Sequence, residues 1–421
     1  MRALGAWMFA MLGFVAAGCT GDDDDDDNGP TGAYPCDHPD EWPETLESAL
    51  HPFTVHYELA TDEAMAIEVA GFLNTSWGIE FGQLGFDLPP SDGGACGADD
   101  RFDVFLWRGE EQCYIDVFAD VPGTEWADQV PYMVVDPWGP YGGPILDSTL
   151  AHELNHAAQA AYDWDEPLLI FEMTSTFMED VVFDDDDEYR DLLHDFQAYP
   201  DWSIDSSEAP GDNFFLYGSA LYLFYIRDRH FAGDPAFTVQ LWGLSRSPAG
   251  EANEPDFEDA LETILQDASG MSFHDSVAEF ARWRWYTGTR DDGVHFEEGA
   301  DFPANATVAF AVSTAGSIVA VSPEPMMLGS SYLEISRGGG GTTPVDVSLA
   351  SPDPGVIWVV QAVPGIGGGD GDVVDVTGGP VPVELTPGGT RTLVLTALPA
   401  GPYDPDERTG DRYPVTITLG P

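Results

Sequence analysis

The chain of 421 residues is longer than one compact domain usually is, so we expect two domains with enough apolar residues for both cores. It carries 75 acidic residues against 14 basic ones, a formal net charge of -61, and every basic residue is arginine. Such a charge repels nucleic acid and anionic lipid, which excludes both as electrostatic partners.

The first 19 residues resemble a bacterial lipoprotein signal peptide. Arg2 supplies the positive end, Ala3 to Val15 form a short apolar stretch, and Ala16-Ala17-Gly18-Cys19 is similar to a lipobox. The pattern predicts a lipid on Cys19 as the one membrane contact, with the outer membrane of the cell envelope as the expected location. An ordinary cleaved signal peptide stays open as the alternative, and both place the mature protein outside the cytoplasm.

Residues 20 to 44 are predicted to be an acidic, disordered tether, because the aspartates Asp22 to Asp27 are followed by Asn, Gly and Pro. If Cys19 is lipidated, three cysteines remain in an oxidising compartment. Closeness in sequence favours a bond between Cys96 and Cys113, which leaves Cys36 unpaired. Since three is an odd number, the pairing stays open.

Residues 45 to 302 show the mixed pattern of an α+β domain. Alternating or short apolar runs predict strands, and apolar spacings of three and four predict helices. The predicted strands are Phe53 to Tyr57, Phe102 to Leu106 and Tyr132 to Val135. The predicted helices are Ala64 to Trp77, one that begins near Asp147 or Ser148 as N-cap, Leu168 to Val182, Tyr217 to Phe231, and Phe273 to Tyr286.

The motif His152-Glu153-Leu154-Asn155-His156 lies on the second of these helices. Residues four apart share one helix face, so His152 and His156 can bind one Zn²⁺. Glu153 is then placed to take a proton from an activated water. A chance match is the alternative, and the surrounding sequence has to decide.

A catalytic zinc site usually needs a third protein ligand. The metzincin pattern would need glycine and a ligand at the positions of Gln159 and Tyr162, so it fails. The next helix instead carries Glu172 within an apolar run, where a bare carboxylate is costly unless it is paired or binds metal. We therefore predict Glu172 as the third ligand, with a surface glutamate near a helix N-terminus as the alternative. Glu179, seven residues later on the same face, is predicted to orient a ligand.

Residues 303 to 421 are predicted to form an all-β sandwich with an accessory role. About eight short strand-like runs are separated by turns rich in glycine and proline, a spacing typical of sandwiches. The clearest runs are Val308 to Val312, Ser331 to Ile335, Val345 to Leu349, Ile357 to Val363, Thr392 to Leu395 and Pro414 to Leu419. No histidine or cysteine follows His295 in the sequence.

The segments His152 to Asp163, HELNHAAQAAYD, and Phe171 to Asp180, FEMTSTFMED, resemble the secreted zinc metalloproteases of myxobacterial type, which are gluzincin-like. That family has HExxH followed by Ala, Gln and a Tyr-Asp pair, and later a stretch ending in Met-Glu-Asp. The resemblance covers most of Phe53 to Pro303. It implies zinc binding by His152, His156 and Glu172, and a general base at Glu153.

The same resemblance implies a tyrosine on a later helix as the donor that stabilises the oxyanion. Tyr217 is the candidate, with an ordinary core aromatic as the alternative, and His194 is a weaker candidate that is better explained as a solvated surface histidine. Met173 departs from the family, which has glycine there, and this predicts a narrower cleft or a changed helix contact. The strand near Val134 is expected to bind extended substrate by β-addition.

We therefore expect a zincin-like α+β metalloprotease domain followed by an all-β sandwich, acting as a zinc endopeptidase on extracytoplasmic proteins or peptides. The alternatives are a non-catalytic envelope lipoprotein with a zincin-like domain, and a zinc hydrolase of a non-peptide bond. Glu153 favours an enzyme, because a binding protein needs no general base. Substrate specificity, activation, oligomeric state and a covering role for Cys36 to Pro52 are left open.

Overall fold

The computed structural model describes residues 35–97, 99–206, 214–250, 253–312, 316–337, 343–351, 353–364, 373–385, 389–403 and 410–420. The chain divides into two compact units. The first unit comprises Met1–Tyr189 and Pro235–Ala260, and the second comprises Arg190–Asp234 and Leu261–Pro421. The predicted signal peptide, Cys19 and the aspartate run lie outside the described residues.

The first unit is a mixed α and β fold around one five-stranded sheet. Its strands are β1 (Glu44–Glu47), β2 (Phe53–Tyr57), β3 (Phe102–Leu106), β4 (Cys113–Asp120) and β5 (Gln129–Val135). Its helices are α1 (Glu63–Ile79), α2 (Leu146–Gln159), α3 (Leu168–Val182) and, after an excursion of the chain, α7 (Phe237–Leu244). The predicted bounds of β2, β3 and α3 are confirmed.

The strand order in this sheet is β1-β2-β3-β5-β4. Strands β2, β3 and β5 are parallel, and β1 and β4 pair antiparallel at the two edges. The expectation of β-addition at the strand of Val134 is therefore wrong, because β5 already pairs on both sides. The edge next to it is β4, whose outer backbone groups have no strand partner among the described residues.

One face of the sheet packs against α1 and α2. Alternate residues of β2, β3 and β5, such as Val55, Val104 and Met133, share a core with Leu150 and Leu154 of α2. These leucines recur at helical spacing, so the opposite side of α2 carries His152 and His156. The apolar pattern of α2 thus decides which way its motif points.

The other face of the sheet is covered by the segment at the start of the described chain. Cys36 forms a disulfide with Cys96, and the buried Trp42 donates its indole N–H to the carbonyl of Leu106. The expected pairing of Cys96 with Cys113 is wrong, and Cys113 is a free cysteine, the only one in the part of the chain that the structure describes. Closeness in sequence misled here because Cys113 begins β4, whereas folding brings Cys36 to Cys96 across 60 residues.

The last residues of the predicted tether pack on this face of the sheet and not over the histidines. Residues 35–44, at the end of the predicted tether, are held by the disulfide and by Trp42, with Phe105 and Val134 in the same core cluster. Since that cluster lies on the face opposite α2, Cys36 and Trp42 do not cover the histidines. The bulk of the tether precedes the described residues.

Helix boundaries differ from the predictions where side chains bond back to the main chain. Helix α2 begins at Leu146, and the hydroxyls of Ser148 and Thr149 donate to the carbonyl of Ile145 instead of capping the helix. The predicted helix from Tyr217 to Phe231 is two helices, α5 (Phe214–Gly218) and α6 (Ala220–His230), which are interrupted at Ser219.

The second unit combines helices with two β-sheets. Besides α5 and α6 its helices are most of α4 (Tyr189–Ala198), most of α8 (Phe257–Ser269) and α9 (Phe273–Trp285). One sheet has the order β11-β10-β13-β8-β6 and the other β12-β9-β14-β7. The strands are β6 (Val308–Val312), β7 (Ser317–Ala320), β8 (Ser330–Arg337), β9 (Thr343–Ala350), β10 (Val356–Pro364), β11 (Val374–Asp375), β12 (Val381–Leu385), β13 (Thr390–Pro399) and β14 (Thr416–Leu419).

The two sheets share one core, to which Ile335 and Leu395 contribute from one sheet and Val347 and Ile417 from the other. Helix α9 packs on the outer face of the sheet that contains β8, where the hydroxyl of Tyr332 donates to the carbonyl of Ala281 at 2.6 Å. Packing of this kind explains why the second unit takes in helices from before residue 303. The C-terminal region is β-sheet, as expected, but the compact units do not part at the predicted boundary.

Among the described residues, no helix is both long enough and apolar enough to cross a membrane.

Candidate metal centre

Helices α2 and α3 bring three potential metal ligands to one point. His152 Nε2 lies 3.0 Å from Glu172 Oε2, and His156 Nε2 lies 3.1 Å from His152 Nε2 and 3.7 Å from Glu172 Oε2. All three side chains are buried, and their ligand atoms lie within 4.8 Å of one another. Two imidazole nitrogens and one carboxylate oxygen that converge in this way could hold a metal ion.

The geometry shows which of the candidate residues lies beside the two histidines as a third potential metal ligand. Tyr162, the residue at the metzincin position, is turned away and accepts the backbone N–H of Asp87 on its hydroxyl. Glu172 is 5% exposed, so the alternative of a surface glutamate is excluded. Met173 is buried within α3 and lines no open surface.

Each histidine is oriented from behind by a second side chain. Glu179 Oε1 lies 2.8 Å from Nδ1 of His152, and Gln159 Oε1 lies 2.7 Å from Nδ1 of His156. Acceptors at both Nδ1 atoms place the protons there and leave the Nε2 lone pairs directed at the shared point. Glu179 lies against His152, as its position on the face of Glu172 predicted, whereas the sequence analysis considered Gln159 only as a failed metzincin position.

The electrostatics of the site favour a cation. Burial raises the pKa of Glu172, but the hydrogen bonds and charges of His152 and His156 outweigh it and hold the pKa at about 2. Burial lowers the pKa of His152, and the carboxylates of Glu172 and Glu179 more than offset this, so its pKa lies well above the usual range. The same two carboxylates would stabilise a proton or a metal ion at this point.

Glu153 lies beside the ligands and is 8% exposed. Burial raises its pKa to about 7, although the neighbouring His156 and His152 act to lower it. A carboxyl group with such a pKa can both accept and release a proton near neutral pH.

Two further side chains of the first unit lie close enough to interact electrostatically with Glu153. Burial raises the pKa of Tyr141, and the charges of Cys113, Glu153 and Glu172 raise it further. Burial likewise raises the pKa of the Cys113 thiol, with a smaller contribution from Glu153. Nothing in the sequence predicts that either residue lies near Glu153. Tyr141 stands in a loop rich in glycine and proline, and Cys113 resembles a partner for a disulfide.

The two predicted donors belong to the second unit. Tyr217 is half-buried on α5 and contacts the ring of Phe214, and its role at the oxyanion stays a prediction. His194 is 76% exposed on α4 beside Asp195, which confirms that it is a surface histidine.

No model of a known protein family matches the chain, and no curated protein has a significantly similar sequence.

Proposed function

We propose that this chain is a zinc-dependent endopeptidase that cleaves extracytoplasmic proteins or peptides. The observation that carries the proposal is the convergence of His152, His156 and Glu172 with the buried carboxyl of Glu153 beside them. The resemblance to secreted gluzincin-like proteases supports it. The Glu153 carboxyl favours an enzyme over a binding lipoprotein, because a metal site that only binds gains nothing from a buried base.

The donor set fits zinc, since two imidazoles and one carboxylate leave a position open for water. When bound, zinc would supply the Lewis acidity that activates water and polarises a carbonyl. Glu153 accepts the proton of the attacking water and passes it to the leaving amine. Glu179 and Gln159 hold the imidazoles of His152 and His156 in orientation.

The peptide would bind as an added strand along β4 and not along β5. Strand β4 is the edge next to β5, and its first residue, Cys113, interacts electrostatically with Glu153. The backbone groups along this edge strand would hold an extended peptide with its scissile bond near the base. We further propose that the protein reaches its substrates outside the cytoplasm, anchored through Cys19.

The experiment measures bound zinc and casein hydrolysis by the chain from Thr20 onward, which retains Cys36 for its disulfide. We expect one zinc per chain, and Glu153→Gln should retain the metal but lose activity by a factor of about 10² to 10⁴. Glu68→Gln, the same substitution at an exposed position on α1, should match the parent. Zinc binding without proteolysis by the parent would instead support a binding protein, and full activity of Glu153→Gln would exclude the proposed mechanism.

A further inference from the structure

The side chain of Gln159 occupies the space directly behind His156 and is fully buried. Its Nε2 atom lies between α2 and α3, within hydrogen-bonding distance of four oxygens. These are Asn155 Oδ1 at 2.9 Å, the Phe171 carbonyl at 3.1 Å, Thr174 Oγ1 at 2.6 Å and Ser175 Oγ at 3.0 Å. Its Oε1 atom faces Nδ1 of His156.

The neighbours determine which end of the Gln159 amide faces His156. The Phe171 carbonyl can only accept, so the amide NH₂ must lie on its side. Thr174 donates its own hydroxyl proton to the carbonyl of Ile170 and is therefore also an acceptor towards Gln159. Oε1 must then face His156, whose Nδ1 has to carry a proton and donate it.

The orientation of Gln159 is itself supported from a third helix. Asn155 accepts from Gln159 on Oδ1 and donates through Nδ2 to Oε2 of Glu80 at 3.0 Å. Glu80 is 0% exposed and begins the π-helical turn Glu80–Leu84 that follows α1. The chain of contacts Glu80, Asn155, Gln159, His156 thus joins the turn after α1 to α2, and the contacts of Gln159 with Phe171, Thr174 and Ser175 extend it to α3.

The partners of the two histidines differ in charge. His152 has the carboxylate of Glu179 at Nδ1, whereas Nδ1 of His156 has two neutral partners, the amide of Gln159 and the hydroxyl of Ser175 at 3.1 Å. Glu172 and Glu179 are thus the two carboxylates in direct contact with these histidines, and together they match the charge of one divalent cation. A third carboxylate behind His156 would leave a buried negative charge without compensation.

We propose that Gln159 is a positioning residue that selects the Nε2-coordinating tautomer of His156 without adding charge, and that Asn155 and Glu80 hold Gln159 in the orientation this requires. The inference rests on the proposed metal site. It predicts that metal affinity depends on a buried amide that contacts no metal.

The test compares Gln159→Leu with Gln197→Leu, the same substitution at another fully buried amide, whose side chain bonds Thr287 and Arg284 in the second unit. We expect Gln159→Leu to weaken zinc binding 10- to 100-fold in competition with a chromogenic chelator. It should also change the visible spectrum of the Co²⁺-substituted protein. Gln197→Leu should lower the melting temperature but leave zinc affinity and the Co²⁺ spectrum as in the parent.

A measurement on the unaltered protein covers the case in which Gln159→Leu does not fold. In the zinc-loaded chain labelled with ¹⁵N-histidine, the side-chain spectrum of His156 should show a protonated Nδ1. A protonated Nε2, or a folded Gln159→Leu variant with the affinity and Co²⁺ spectrum of the parent, would overturn the role of Gln159 alone. Failure of the parent to bind any metal would overturn the proposed function together with it.

Discussion

At the scale of single residues, the centre is a balance between buried charges of opposite sign. His152 and His156 lie together with two glutamates, Glu172 and Glu179, both of which are within hydrogen-bonding distance of His152, and all four side chains are buried. Without a cation, this arrangement would place two carboxylates in a low-dielectric environment at a cost of several kcal/mol each. Protonated histidine or a bound metal relieves this cost, so we expect stability, protonation and metal binding to be linked.

Removal of the carboxylate of Glu172 should weaken zinc binding by more than the 10- to 100-fold typical of a residue behind a ligand. Glu172→Gln deletes a charge that would contact the metal, whereas Glu179→Gln deletes one that orients His152. Chelator competition on both variants, with Glu68→Gln as the exposed control, gives the order of the two effects. Parent affinity in Glu172→Gln would remove it from the set of ligands.

The raised pKa of Glu153 predicts a stability effect in the metal-free protein. Because the pKa is about 7 in the folded chain against an ordinary value of 4.5, the folded chain binds this proton more tightly. The resulting stabilisation is complete below pH 4.5 and is lost as the pH rises through 7. At pH 8, Glu153→Gln should therefore be more stable than the parent by up to ~3 kcal/mol, since a tenfold change in an acid constant corresponds to about 1.4 kcal/mol.

Urea unfolding in the presence of a chelator at pH 4 and pH 8 measures this difference. The gain should be present at pH 8 and absent at pH 4, and Glu68→Gln should show none at either pH. Equal stability of Glu153→Gln and the parent at pH 8 would contradict the raised pKa.

At the scale of elements, close approach between helices depends on particular glycines. Gly218 ends α5, and a Cβ atom there would lie 2.7 Å from both the Leu192 carbonyl and the Cβ of Phe196 in α4. Gly71, in the middle of α1, has no atom within 4 Å of the corresponding position. The same residue type therefore has opposite consequences in the two helices.

Gly218→Ala should destabilise the protein by roughly 1–3 kcal/mol, because the backbone of α4 cannot move away without disturbing its own packing. Gly71→Ala should stabilise it by roughly 0.5–1 kcal/mol, since alanine favours a helix interior and meets nothing. Urea unfolding of the two variants measures both effects. A stabilising Gly218→Ala would show that α4 and α5 do not approach each other so closely.

At the scale of the whole molecule, the net charge and the disulfide have opposite effects on the stability of the folded chain. The net charge of -61 opposes compactness through self-repulsion, which dissolved salt would screen. The disulfide between Cys36 and Cys96 works in the other direction. It closes a loop of 60 residues and holds the start of the described chain on the sheet face opposite α2.

Cys36→Ser should destabilise the protein by roughly 4 kcal/mol, the chain-entropy value for a loop of this length. Cys113→Ser removes a thiol but no bond, and it should retain most of the stability of the parent. Thermal unfolding with and without reductant distinguishes them, since reductant should lower the melting temperature of the parent and of Cys113→Ser but not of Cys36→Ser. Insensitivity of the parent to reductant would argue against the bond.

Local periodicity was sufficient to place α3, β2 and β3 at their observed bounds and to put His152 and His156 on one helix face, because these features depend only on neighbouring residues. The sequence also predicted Glu172 as the third member of the group, since a carboxylate in an apolar helix needs a partner.

Only the tertiary structure decided which cysteines pair, which strand is the edge of the sheet, and that Gln159 supports His156. The disulfide and the edge of the sheet depend on segments that are distant in sequence. The orientation of Gln159 depends on its contacts with α3. A hydrogen bond such as that between Asn155 and Glu80, 75 residues apart, leaves no periodic trace in either segment. The local sequence therefore determines what each residue can do chemically. The burial of apolar faces determines which residues come together in the folded chain.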